Sequence, residues 1–190
     1  MTTRAVFLDK DGTLVEDVPM NVDPARVKLT AGALGALARL HACGFRFAVV
    51  SNQPGVAHGF FAEEALEPIA RLLDRLLGAA GIPLDGFFYC PHHPQGRVAR
   101  YRMTCDCRKP APGLVRRAAR HLHADLARSW FVGDVLDDVE AGRRAGCRTV
   151  LLDSGGETEW AWSSAREPHV VARSFAEVAD RIIAADRRFA

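Results

Sequence analysis

Short apolar runs, each long enough for one strand, alternate along this chain with longer segments of helical period. The runs are continuous, which is typical of strands that are buried on both faces of a sheet. The predicted strands cover residues 5–8, 45–50, 87–89, 130–132 and 149–152, and the predicted helices cover residues 32–42, 62–80, 113–121, 138–145 and 175–185. Repeated strand–helix alternation with right-handed crossovers predicts a doubly wound, Rossmann-like parallel sheet. Ligands bind such sheets beyond the carboxyl ends of the strands.

One proline conflicts with an uninterrupted helix over residues 62–80. Pro68 lacks the N–H that a helix interior needs, and its ring clashes with the preceding turn. The sequence therefore predicts either a helix start near Pro68 or a kink there.

Length and charge favour a single domain that acts on a small molecule. The chain has 190 residues, enough for one domain with a real core, and we predict one domain over residues 1–190. The 25 Lys and Arg nearly match the 23 Asp and Glu, so the charge of +2 indicates neither nucleic acid nor a membrane as partner. Acidic residues near the N-terminus argue against a secretory leader, and no run approaches the roughly 18 apolar residues of a membrane helix. We expect a cytoplasmic monomer.

Two carboxylates follow the first predicted strand directly. Residues i and i+2 of an extended segment point the same way, so Asp9 and Asp11 can face one site while Lys10 turns away. Two converging carboxylates repel each other, and a hard divalent cation with oxygen ligands, such as Mg²⁺, resolves the repulsion. Asp134 follows a later strand and could supply a third carboxylate, with Asp138 one helical turn further on to support the metal through water.

The same strand ends carry groups that can hold a phosphate. A carboxylate beside Mg²⁺ can attack phosphorus and form an aspartyl phosphate, and this reaction needs positive charge on the transferring group. Arg108 and Lys109 can supply that charge, and Ser51 with the backbone N–H groups of its loop can bind the same oxygens. These residues predict phosphoryl transfer.

Four motifs carry a family resemblance. In chain order FLDKDGT, SNQPG, CRKPAPG and VGDVLDD resemble those of the haloacid dehalogenase-like phosphohydrolases, and the likeness covers nearly the whole chain. The resemblance implies that Asp9 is the nucleophile and Asp11 the general acid/base. It implies Mg²⁺ bound by the Asp9 carboxylate, the Asp11 backbone carbonyl and Asp134, with Ser51 and Lys109 stabilising the phosphoryl group. The chain leaves little room between Asp17 and the second strand for a large cap domain, so we expect loops to shape the mouth.

Cysteines and histidines cluster between the third strand and the following helix. Cys90, His92, Cys105 and Cys107 give three thiolates and one imidazole, a set that suits a closed, tetrahedral, structural Zn²⁺ site, with His93 as the alternative fourth ligand. Redox-active or free thiols are the competing interpretation. Zinc in a loop over about residues 90–107 would fix the charged pair that follows Cys107.

A zinc knuckle that binds nucleic acid is the alternative function from another class. Arg97, Arg100, Tyr101 and Arg102 make the loop basic with one aromatic residue, as such a module requires. A knuckle would have no need of the ordered acidic motifs, so phosphatase chemistry is favoured.

The loop also narrows the substrate. CPHHPQG and CDCRKPAPG are similar to the subfamily of heptose bisphosphate phosphatases and histidinol-phosphatase domains, more closely to the former, which serve the synthesis of heptose precursors for lipopolysaccharide. That likeness implies substrate contacts from Asp17, Met20, Ser51, Asn52, Gln53, Arg108 and Lys109. Several positions depart from the heptose pattern. Ser51 replaces a threonine but keeps the hydroxyl, Pro54 replaces a serine, His58 an arginine and Val135 a lysine. A heptose bisphosphate is favoured; histidinol phosphate or another small sugar phosphate stays open.

Overall fold

The sheet has six parallel strands, as a computed structural model covering residues 3–153, 155, 157 and 160–187 describes it. The strands are β1 (Arg4–Leu8), β2 (Phe45–Asn52), β3 (Phe87–Cys90), β4 (Trp130–Gly133), β5 (Arg148–Leu152) and β6 (Val170–Ala172). Their order is β3-β2-β1-β4-β5-β6, and every neighbouring pair is parallel. The predicted doubly wound sheet is confirmed, and its strand order reverses between β1 and β4, where such sheets bind ligands.

Helices cover both faces of this sheet. They are α1 (Ala33–Ala42), α2 (Pro54–His58), α3 (Leu66–Gly78), α4 (Gly113–Leu122), α5 (Leu136–Ala145) and α6 (Phe175–Asp186). Val6 and Leu8 of β1 belong to the core that holds buried residues of α1, α3 and α6. Ala5 and Phe7 belong to a second core with α4 and α5. Because alternate residues of a strand face opposite sides, a continuous apolar run was required, and the sequence supplies one.

Two short elements, β6 and α2, have no clear pattern in the sequence. β6 has three residues, one of them exposed, so it gives no continuous apolar run. α2 has five residues, too few for a helical period, and it begins at Pro54, a residue suited to a first helical position. Pro68 lies in the first turn of α3, where its missing N–H costs little, so the predicted helix start is confirmed.

The connection between β1 and β2 is compact. It contains one 3-10 turn (Pro24–Arg26) and α1, and Val15 forms an isolated antiparallel bridge with Leu29. The expectation that no large cap domain is inserted here is therefore confirmed. Within the described part of the chain, no helix is long and apolar enough to cross a membrane.

One buried serine completes the hydrogen bonding of β1, and its replacement gives a stability prediction. Ser129 is fully buried; its Oγ accepts from the Ala5 N–H at 3.0 Å and donates to the Asp125 carbonyl at 2.6 Å. We expect Ser129→Ala to lower the free energy of unfolding by about 1–3 kcal/mol, because it leaves a buried backbone N–H without a partner. Urea unfolding measures this, with the exposed Ser163→Ala as control, expected to change stability by less than about 0.5 kcal/mol. Equal stabilities of the two variants would contradict the assignment.

Candidate active site

Three buried carboxylates meet where the strand order reverses. Asp9 follows β1 directly, and its N–H donates to the Val132 carbonyl of β4 at 2.9 Å. Asp134 follows β4, and Asp138 lies in the first turn of α5. One oxygen from each of these three carboxylates lies within 4.8 Å of the others, an arrangement that could hold a metal ion. Carboxylate oxygens in this number fit Mg²⁺, which binds a few carboxylates together with substrate phosphate.

A buried ammonium partly balances this acidic group. Lys109 Nζ lies 2.5 Å from Asp9 Oδ1 and 2.6 Å from Asp138 Oδ1, and the side chain is 3% exposed. Burial by itself lowers the pKa of Lys109, but Asp138 and Asp9 together raise it above its ordinary value, so the amine stays charged. Three carboxylates face one ammonium, so the pocket keeps an excess of negative charge that favours a cation.

Burial makes the acids costly to ionise without a metal. The pKa of Asp134 is raised to about 6, chiefly by burial and further by Asp9. Burial also holds the pKa of Asp138 well above its ordinary value, although Lys109 acts in the opposite direction. Thr13 Oγ1 donates to Asp134 Oδ1 at 2.9 Å and orients the carboxylate.

The main chain at residue 12 passes so close to the Asp134 carboxylate that only glycine fits there. Its φ is +76°, and a Cβ on it would lie 2.2 Å from Asp134 Oδ2. A side chain here would therefore displace the carboxylate as well as strain the backbone.

The Asp11 carboxylate lies apart from the three-carboxylate group and is held from two sides. Lys10 Nζ lies 2.8 Å from Asp11 Oδ1, and Gln53 Nε2 donates to Asp11 Oδ2 at 3.0 Å. The expectation that Lys10 turns away from the site is wrong, since its side chain is 2% exposed and its ammonium returns to Asp11. A strand's alternation sets where a side chain starts, but a four-carbon stem can fold back. Burial raises the pKa of Asp11, and Lys10 acts against that rise.

A cavity of about 230 Å³ opens above these groups. It is lined by Asp9, Asp11, Asp17, Ser51, Asn52, Lys109, Asp134, Val135, Asp137 and Asp138. Most residues that the sequence assigns to chemistry or substrate contact are thus on one wall. Three predicted substrate contacts are not part of the lining. Met20 is 46% exposed, Gln53 is buried, and Arg108 Nη1 lies 3.5 Å from the His92 carbonyl.

Two residues at the site, Asp137 and Lys10, were not predicted from the sequence. Asp137 lines the cavity, and its Oδ1 accepts from Arg166 Nη2 at 2.8 Å. Its place in the first turn of the helix after Asp134 was a usable signal, because that turn lies beside the end of β4. Lys10 gave no such signal.

The cysteine–histidine cluster forms as predicted. Cys107 Sγ lies 3.2 Å from Cys90 Sγ, 3.3 Å from Cys105 Sγ and 3.3 Å from His92 Nδ1. Cys90 Sγ lies 3.6 Å from Cys105 Sγ and 3.7 Å from His92 Nδ1. Ligands of a tetrahedral zinc ion, about 2.0–2.3 Å from the metal, stand roughly 3.3–3.8 Å apart, so these four fit Zn²⁺.

His93 takes no part in this cluster. Its Nδ1 accepts from the Gln95 N–H at 3.2 Å, and its ring lies 4.6 Å from that of His58. The structure thus favours His92 over His93. The hydrogen bond between Cys90 and Cys107 lowers the pKa of Cys107 and raises that of Cys90, so one thiol of the pair ionises readily, and a thiolate is what a metal binds.

The loop's aromatic residue is not available to a nucleic-acid base. Tyr101 is 9% exposed, and its hydroxyl hydrogen-bonds Glu63. Stacking on a base needs an exposed ring, so the one aromatic residue that supported the zinc knuckle is not placed to stack.

Comparison with known proteins agrees with this geometry. Residues 106–178 match the family described as HAD-hydrolase-like. The D-glycero-beta-D-manno-heptose-1,7-bisphosphate 7-phosphatase of Escherichia coli strain K12 is 40% identical over 153 residues, which is 80% of this chain and 80% of the relative. A putative HAD-like phosphatase from Mesorhizobium loti superposes with a TM-score of 0.83 at 33% identity, covering 98% of this chain and 87% of that one.

A second solved structure is informative about ligands. The D,D-heptose 1,7-bisphosphate phosphatase from B. bronchiseptica, complexed with magnesium and phosphate, superposes with a TM-score of 0.77 at 32% identity, covering 96% of this chain and 99% of that one. The chain belongs to the haloacid dehalogenase-like phosphatases. Within that family, the relatives that match it over most of their length include heptose 1,7-bisphosphate 7-phosphatases.

The raised pKa of Asp134 gives a pH prediction for metal binding. Only the ionised carboxylate binds Mg²⁺, and the pKa of Asp134 is about 6 without metal. We therefore expect the Mg²⁺ affinity to be nearly constant above about pH 7 and to fall about tenfold per pH unit below about pH 6. Calorimetric titration with Mg²⁺ across this range checks it, with Asp134→Asn as a control expected to bind weakly throughout. An affinity at about pH 5 equal to that at about pH 7.5 would contradict the prediction.

Proposed function

We propose that this protein is a Mg²⁺-dependent phosphomonoesterase that works through a phosphorylated Asp9 and removes the 7-phosphate of D-glycero-beta-D-manno-heptose 1,7-bisphosphate. The observation that carries the proposal is the group of Asp9, Asp134 and Asp138 around Lys109 at the reversal point of the sheet. A step in making heptose precursors of lipopolysaccharide follows from that substrate. We further propose that residues 1–190 act as one cytoplasmic, monomeric domain with neither nucleic acid nor membrane as partner.

The chemistry assigns a separate task to each of the two motif aspartates. The Asp9 carboxylate attacks phosphorus; the bond from phosphorus to the sugar oxygen breaks, and Asp11 gives that oxygen a proton. Asp11 then takes a proton from water, which attacks the phosphorus of the aspartyl phosphate and returns Asp9 as a carboxylate. The distances from Lys10 and Gln53 to Asp11 support this division, because the two aspartates have different partners.

Positive charge and hydrogen-bond donors stabilise the transferring group. Lys109 is charged and buried beside Asp9, so it can hold an equatorial phosphate oxygen in a medium where charges act strongly. Ser51 lines the same cavity and can donate its hydroxyl proton. Mg²⁺ would be held by Asp9, the Asp11 carbonyl and Asp134, with support from Asp138. When bound, it supplies the charge that lets an anionic carboxylate approach an anionic phosphate.

The relatives support a heptose substrate, and one substitution in the cavity, Val135, counts against a second phosphate. Relatives named for this activity are 40% identical over 80% of the chain. Val135 lines the cavity where the family pattern has a lysine, which removes one cation that could hold the second phosphate. Histidinol phosphate or another small sugar phosphate is therefore the second candidate.

The substrate is tested by initial rates of phosphate release with Mg²⁺. We expect heptose 1,7-bisphosphate to exceed histidinol phosphate and a hexose phosphate by about a hundredfold or more in kcat/KM. Asp9→Asn, which keeps the shape but loses the nucleophilic charge, is the control and should abolish turnover of all three.

Other outcomes of that experiment are equally decisive. Comparable rates on the three esters would retain the phosphatase and refute the heptose assignment. Wild-type activity in Asp9→Asn would refute the covalent route.

The zinc cluster gives an independent prediction. We expect Cys107→Ser to lose bound zinc and to lower kcat/KM at least about tenfold, because the loop then no longer fixes Arg108 and Lys109. Metal content by plasma mass spectrometry and phosphate release measure the two effects. Cys43→Ser, outside the cluster, is the matched control and should keep both. A Cys107→Ser protein with one zinc per chain would contradict the ligand set.

A further inference from the structure

Asn52 and Gln53 follow the phosphate-binding Ser51 at the end of β2, and the family resemblance assigns both to substrate contact. Their side chains, however, make hydrogen bonds inside the protein. The hydrogen bonds of each side-chain amide show whether it has donors left for a sugar hydroxyl.

Gln53 joins two groups of the reaction. It is 4% exposed, and its Nε2 donates to Asp11 Oδ2 at 3.0 Å and to Ser51 Oγ at 2.9 Å. An amide nitrogen has two hydrogens, so both donors are used. Because Ser51 Oγ accepts from Gln53, its own proton is left for another acceptor, such as a phosphate oxygen bound in the cavity that Ser51 lines.

Asn52 performs a similar task on the lysine. Its Nδ2 donates to the Lys109 carbonyl at 3.1 Å, and its Oδ1 accepts from the Lys109 N–H at 3.0 Å. The amide thus closes a ring with the main chain of Lys109. It connects β2 to a residue 57 positions further along the chain.

We propose that Asn52 and Gln53 are positioning residues: Asn52 fixes the main chain of Lys109, and Gln53 holds Asp11 and the Ser51 hydroxyl in one arrangement. Neither reads the sugar. The proposal rests on the proposed function, since it concerns the same phosphate site. Recognition of the sugar then falls to residues that line the cavity besides Asn52, among them Asp17 and Asp137, whose Oδ1 is hydrogen-bonded to Arg166.

A substrate without a sugar separates positioning from sugar contact. A residue that touches the sugar affects only sugar phosphates, whereas one that positions Ser51 and Asp11 affects every phosphate ester and inorganic phosphate itself. Gln53→Met and Asn52→Leu keep the approximate size and remove the hydrogen bonds. Each is assayed on heptose 1,7-bisphosphate and p-nitrophenyl phosphate, and for inhibition by inorganic phosphate. Gln95→Met makes the same change on the exposed zinc loop and is the control.

We expect Gln53→Met to lower kcat/KM at least about tenfold on both esters, by factors that agree within about threefold. The inhibition constant of inorganic phosphate should rise about fivefold or more, because Ser51 loses its fixed direction. Asn52→Leu should show the same parallel loss through Lys109. Gln95→Met should match the wild type in all three measurements.

A loss confined to heptose 1,7-bisphosphate, with p-nitrophenyl phosphate and phosphate inhibition unchanged, would overturn the proposal and show that the residue contacts the sugar. An unchanged rate on both esters would overturn it as well. Gln53→Glu is the second variant in case the methionine disturbs the fold. It keeps the length but sets another carboxylate against Asp11, so we expect a larger loss than for Gln53→Met; a smaller one would refute the positioning role.

The result is independent of the natural substrate. If the wild type fails on heptose 1,7-bisphosphate, the heptose assignment fails alone, because the aryl phosphate and inorganic phosphate still report on Ser51, Asp11 and Lys109. If those two measurements stay unchanged while the heptose assignment holds, the positioning role fails alone.

Discussion

The ion cluster of Lys109 with Asp9 and Asp138 is the interaction on which the site depends. The ammonium lies 2.5 and 2.6 Å from the two carboxylates and links the end of β1, the segment before α4 and the first turn of α5. Burying one such charge without a partner costs several kcal/mol, and each carboxylate therefore lowers the cost of burying the ammonium. The remaining excess of negative charge comes from Asp134. The same contacts that hold the three elements together thus create a place for a cation and, beside it, for a phosphate.

The sheet topology explains why these side chains meet at all. β1 and β4 are adjacent and parallel although more than a hundred residues separate them, and their chains leave in opposite directions at the reversal point. Asp9 and Asp134 are each the first residue after their strand, so both lie at one edge of the sheet. Gly12 then lets the β1 loop pass so close to Asp134 that a side chain would not fit. The close approach of the β1 loop thus also buries the Asp134 carboxylate.

The sequence predicted the site residues whose position follows from the strand pattern. It did not predict contacts that depend on the path of a long side chain. Asp9 and Asp134 were predictable, because each ends an apolar run that had to be a buried strand. β6 was not, since a strand of three residues with one of them exposed gives no period. Lys10 was placed outside the site because alternation directs its Cβ away, yet its flexible stem returns the ammonium to Asp11. The choice between His92 and His93 was open for a similar reason: adjacent residues have nearly the same sequence context, and only the fold separates them.

The cysteine–histidine cluster lies next to the residues of the phosphate site. Cys107 is two residues before Lys109, and at the other end of the loop the Cys90 carbonyl accepts from the Gln53 N–H at 2.8 Å. Asn52 lies between the two ends, because it pairs with Cys90 in the sheet and its side chain bonds to the main chain of Lys109. Order at the cluster therefore restricts Lys109 both along the chain from Cys107 and through the hydrogen bonds of β2. A loop whose base is fixed in this way limits the motion of Lys109. Supporting residues of this kind keep a charged side chain in the position that binding of a small, highly charged group needs.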